Sequence, residues 1–86
     1  MWQIEYTPSA AKDAEKVKKS HLYEKAKRLI EVLRTNPYQR PPEYEKLLGD
    51  LKGAYSRRLN RQHRLIYAID ETRHVVRILA MWSHYE

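Results

Sequence analysis

Residues 54–82 read AYSRRLNRQHRLIYAIDETRHVVRILAMW, and this stretch decides the fold. Three runs rich in aliphatic and aromatic residues, 54–59, 63–69 and 74–82, are separated by the polar triplets Asn60-Arg61-Gln62 and Asp70-Glu71-Thr72. Runs of that length between turn-forming residues predict three strands joined in an antiparallel meander. In the middle run a period of two places Leu65, Tyr67 and Ile69 on one face and Arg64, Ile66 and Ala68 on the other. Arg64 is therefore expected to point away from the Leu65 face.

Working outward from the meander, residues 38–44 hold Pro41-Pro42 and no periodicity, which predicts a surface loop. Before it, Leu22, Ala26, Leu29 and Leu33 recur at helical spacing up to Asn36-Pro37, and Ala10, Ala11, Ala14 and Val17 mark an earlier helix over 8–19. Thr7-Pro8 supplies an N-cap followed by proline at the first helical position, and Trp2, Ile4 and Tyr6 alternate with polar residues as in a half-buried strand. The expected order is β-α-α-β-β-β. This is an α+β fold in which two helices, an antiparallel pair, cover one face of a mainly antiparallel sheet.

Composition bounds what such a fold can do. With 86 residues the chain is expected to form one domain, 1–86, around a single small core. It has no cysteine, so disulfides and thiolate metal ligands are excluded. No apolar run has the length of a signal peptide or a membrane span, so a cytoplasmic protein with no membrane partner is expected. Lys and Arg number 17 against 11 Asp and Glu, a net charge of +6, which favours polyanionic partners.

That charge is concentrated. Between Asp50 and Asp70 there is no acidic residue, while Lys52, Arg57, Arg58, Arg61 and Arg64 all fall there with His63, Tyr55 and Tyr67. Basic side chains interleaved with rings on a sheet suit single-stranded RNA, and Arg57 and His63 are expected to meet it there. A hairpin edge that carries charge against aggregation is the plainer alternative, but it needs fewer arginines.

RNA carries its own nucleophile in the 2′-hydroxyl, so a ribonuclease must remove that proton, steady the phosphorus centre and protonate the leaving 5′-oxygen. Glu45 can accept a proton, His84 can give one near neutral pH, and Arg64 can grip two phosphoryl oxygens in a fork. No cofactor is required. The histidines, at 21, 63, 74 and 84, have none of the i, i+4 spacing of a helical zinc site, so metal ligation is not expected.

Glu45, Leu47, Leu51, Gly53, Ser56-Arg57-Arg58, His63-Arg64-Leu65, Tyr67 and Ser83-His84-Tyr85 together resemble the YoeB (Txe) family of bacterial toxin ribonucleases, within the RelE/ParE superfamily. Tyr6-Thr7-Pro8-Ser9-Ala10 with Asp13 is similar to the superfamily's opening strand and helix. The resemblance implies cleavage of messenger RNA on the ribosome, inhibition by a YefM-like antitoxin, and a catalytic set of Glu45, Arg64 and His84. It implies supporting roles for Arg58 and Tyr85, with Lys46 and Lys52 assisting binding, and a homodimer or a toxin–antitoxin heteromer as the assembled form. Two other functions are compatible with a basic sheet of this kind: a ParE-like toxin that inhibits DNA gyrase without catalysis, and a plain RNA-binding module.

Overall fold

The computed structural model describes residues 1–84, with Ser83 and His84 described by their backbone alone. Strand β1 (Gln3–Tyr6) leads into helices α1 (Pro8–Lys18) and α2 (Tyr23–Thr35), and strands β2 (Tyr44–Lys46), β3 (Ala54–Arg58), β4 (His63–Asp70) and β5 (Val75–His84) follow. The sheet order is β1-β5-β4-β3-β2. β1 runs parallel to β5, and every other neighbouring pair is antiparallel.

Helix α1 starts where the sequence predicts. The Thr7 Oγ1 accepts from the Ala10 N–H at 3.1 Å, with Pro8 at the first helical position, and the same hydroxyl donates to the Leu79 carbonyl at 3.3 Å. It therefore caps the helix and ties it to β5. Thr7→Ala is expected to lower stability by about 1 kcal/mol. Urea denaturation followed by circular dichroism reads this as a lower midpoint at unchanged slope.

The helices pack on one face of the sheet. Ala10, Val17, Ala26, Leu29, Ile30 and Leu33 meet Leu59, Leu65, Tyr67, Val76, Ile78 and Met81 in one core. Alanine at position 10 lets α1 pack closely on β5. Among the described residues, the apolar cluster on the opposite face is a small one of Leu47, Ala54 and Ile66, joined by Leu79 and Ala80. The face beside that patch is left for polar groups.

Three features depart from the sequence expectation. The 38–44 loop ends in a strand, β2, too short at three residues to show a periodic pattern. It is joined to β3 through a 3-10 turn at Gly49–Leu51, flanked by left-handed conformations at Gly49 (φ 72°) and Gly53 (φ 96°) that glycine adopts without strain. β5 begins at Val75 rather than His74, because His74 closes the preceding turn at φ 59° and stacks its ring on Trp2 at 3.8 Å between centroids.

The third departure lies within β5. Arg64 pairs with Ser83, Ile66 with Ala80 and Tyr67 with Ile78, so β5 spends two more residues than β4 over the same span. These irregularities let Ile78 and Met81, three apart in sequence, both enter the helix-side core. The backbone N–H groups of Met81 and Trp82 donate to the Asp13 Oδ2 of α1, at 3.0 and 3.3 Å.

Candidate active site on the open face of the sheet

The register of the neighbouring strands β2, β3 and β4 builds the site. Glu45 stands opposite Ser56, and Arg58 opposite Arg64. Arg64 points away from the Leu65 face, onto the side of the sheet that the helices leave uncovered. There its Nη1 donates to the Glu45 Oε1 at 2.7 Å and to the Ser56 Oγ at 3.2 Å.

The two partners differ in exposure. The Arg64 side chain is 15% exposed, whereas that of Glu45 is 61% exposed. A partly buried guanidinium thus sits at the base of the site with an accessible carboxylate beside it. Glu45, Ser56, Arg58 and Arg64 line a cleft of about 430 Å³, closed on its far side by Pro42 and Tyr44. Lys25 and Glu43 also border it, and Glu45, Arg58, Arg64 and the Ser56 hydroxyl together are enough to hold a phosphate and exchange a proton with the group attached to it.

His84 is the last residue of β5, and its backbone pairs with His63, one residue along β4 from Arg64. The chain therefore reaches the same end of the sheet as Arg64 and Arg58. Tyr85, the other C-terminal candidate, lies outside the described residues.

Four expected substrate contacts are placed elsewhere. Arg57 is fully buried on the helix side. Its Nε donates to the Tyr67 hydroxyl at 2.9 Å, its Nη2 to the carbonyls of Pro37 (3.0 Å) and Gln39 (2.9 Å), and its Nη1 to the carbonyl of Pro42. A guanidinium committed in this way has no surface to offer RNA. Burial pushes the Tyr67 phenol up to about 12, against the opposing pull of the Arg57 charge, so the phenol stays protonated while it accepts from Arg57.

His63 is buried, its ring stacked on Trp82 with centroids 4.0 Å apart, so it supports the strand ends rather than meeting a ligand. Lys46 is exposed opposite Tyr55, a residue packed on the helix-side core, and thus stands on the wrong face of β2. Lys52 follows the 3-10 turn, outside the residues that line the cleft.

Ser56, Lys25 and Glu43 are polar residues of the cleft that escaped the sequence reading as individual candidates. Ser56 shares the parity of Arg58, which is the signal that places it on the open face, yet its small side chain suggests no role until Arg64 is seen to bond it. Lys25 reaches the cleft from α2, which no pattern in the sequence indicates. A larger groove of about 930 Å³ lies along α1 and α2 and holds none of the residues expected to react.

Comparisons with known proteins agree with this architecture. A YoeB/ParE toxin from Agrobacterium tumefaciens superposes with a TM-score of 0.87 at 26% identity, covering 96% of this chain and 99% of that one. The YoeB dimer from Staphylococcus aureus gives a TM-score of 0.82 at 29% identity, covering 98% of each chain. A heterotetrameric YoeB–YefM toxin–antitoxin complex from Staphylococcus aureus gives 0.82 at 28% identity over 99% of each. A search of curated proteins found no match. A family model described as YoeB-like toxin of bacterial type II toxin–antitoxin system matches residues 6–85. With that match running from the last residue of β1 through both helices and the paired Glu45 and Arg64, the chain belongs to the YoeB-like toxins of bacterial type II toxin–antitoxin systems.

Proposed function

We propose that this toxin is a ribosome-dependent endoribonuclease that cuts translated messenger RNA by in-line attack of the 2′-hydroxyl, with no metal in the reaction. The observation that supports it is the contact of Glu45 with Arg64 on the open face, with Arg58 across from it. Before substrate enters, the Glu45 carboxylate is held by Arg64. A scissile phosphate competes for that guanidinium, and the carboxylate is released to take the 2′-hydroxyl proton. Arg64 and Arg58 then balance the charge that grows on the non-bridging oxygens, where fixed cations in a partly dry cleft act most strongly. His84 donates the proton that the 5′-oxygen needs to leave, and Tyr85 helps to position the substrate. The products are a 2′,3′-cyclic phosphate and a 5′-hydroxyl.

The partner that silences the toxin is an antitoxin of the YefM kind, and the chain works in the cytoplasm, where translated message is found. The YefM complex and the YoeB dimer among the similar structures support these assemblies for this chain.

Primer extension on translated message tests the function. Wild-type protein should give new 5′ ends in the presence of a chelator. Glu45→Gln and His84→Ala should each lose cleavage by about 10²- to 10⁴-fold while still binding ribosomes. Cleavage undiminished in either variant removes that residue from the mechanism. Absence of cut message together with blocked supercoiling by DNA gyrase would replace the ribonuclease with a topoisomerase inhibitor.

A further inference from the structure

From the buried guanidinium of Arg57 we infer that this residue is a positioning residue for Glu45, acting from the opposite face of the sheet; the inference rests on the role proposed for Glu45 above. Glu45 belongs to a strand of three residues at the edge of the sheet, paired on one side only, through Tyr44 to Arg57, Glu45 to Ser56 and Lys46 to Tyr55. So short a strand cannot fix its own position. It inherits its position from the segment that feeds it.

That segment, residues 36–43, has no helix or strand. It is held instead by Arg57, whose guanidinium bonds the carbonyls of Pro37, Gln39 and Pro42 and so spans the loop from its start to the residue two before Tyr44. The Tyr67 hydroxyl fixes the fork from behind through Nε. The Tyr44 ring closes over the guanidinium at 4.8 Å from its centroid. Beside the Tyr38 hydroxyl, which donates to Glu71, this one side chain therefore holds the loop, the ring that ends it and the backbone that presents Glu45. Lysine keeps the charge but offers its donors from a single point, and cannot reach three carbonyls and a phenol in the plane of a fork.

A small displacement of a reacting group can lower a rate by as much as ~10²-fold without weakening substrate binding. The test is a double-mutant cycle on ribosome-bound message under single-turnover conditions, with toxin titrated so that kcat and KM are read separately. Arg57→Lys should lower kcat by about tenfold with KM changed less than about twofold, and should change kcat less than about twofold when Glu45→Gln is already present. Tyr67→Phe removes only the partner of Nε and should show the same pattern at about threefold, which keeps the test decisive should Arg57→Lys fold poorly.

Equal fractional losses in the two backgrounds would show that Arg57 matters only for the folded fraction, and a loss confined to KM would make it a substrate contact. Either result overturns the inference and leaves the role of Glu45 standing. A fully active Glu45→Gln removes that role, and the inference with it.

Discussion

Arg64→Lys should slow RNA cleavage by about 10²-fold or more, although the charge is conserved. In the native cleft one terminal nitrogen of Arg64 serves both Glu45 and Ser56, and a planar fork can turn its other donors to phosphoryl oxygens while that nitrogen keeps its partners. An ammonium group at that site would have to choose. Held by Glu45 it would be turned from the phosphate, and held by the phosphate it would leave Ser56, which is fully buried, without its donor. Single-turnover cleavage of ribosome-bound message, with ribosome binding measured in parallel, reads the effect. Full activity with lysine would show that a point charge suffices and that the fork has no part in the rate.

Leu65→Ala should have the largest effect on stability. Leu65 follows Arg64 in β4, is fully buried, and meets the helices in the centre of the main core. Truncating such a side chain costs about 2–5 kcal/mol, a large share of the ~5–15 kcal/mol that holds a domain together. At roughly 4–8 °C per kcal/mol for a domain of this size, the melting temperature should fall by about 10 °C or more. Thermal denaturation followed by circular dichroism measures it. Because Leu65 and Arg64 face opposite sides of the strand, cleavage at low temperature should stay near wild type. A drop of less than about 5 °C would mean that the helices close over the missing volume.

The contrast between these neighbours shows what the sequence carried. Leu65 and Tyr67 on one face with Arg64 on the other could be read by counting in twos, and Thr7-Pro8 announced α1, because both signals are local. Arg57 was open to the same arithmetic: it shares parity with Tyr55 and Leu59, two core residues, and so belonged inside. Its charge argued for the surface more loudly than its position argued against it. A buried arginine is recognisable only when the carbonyls that receive it are known, and those come from a loop with no pattern of its own. β2 went unseen because three residues cannot establish a period, and the irregularities of β5 because nothing local marks them. The meeting of Glu45 with Arg64 depends on both the edge strand and the register, which is why sequence supplied the members of the pair but not the contact.

The parallel pairing of β1 with β5 has a consequence for how the toxin is made. β5 lies between β1 and β4 in the sheet, yet it is the last strand in chain order. As synthesis proceeds from the N-terminus, β1 has no neighbour until Val75 and the residues after it have emerged. The helices likewise wait for Val76, Ile78 and Met81 to complete the surface they cover. Pairings between such distant segments form late. The cleft of Glu45, Ser56 and Arg64 draws on β2, β3 and β4 alone, so its strands can pair before β5 joins the sheet.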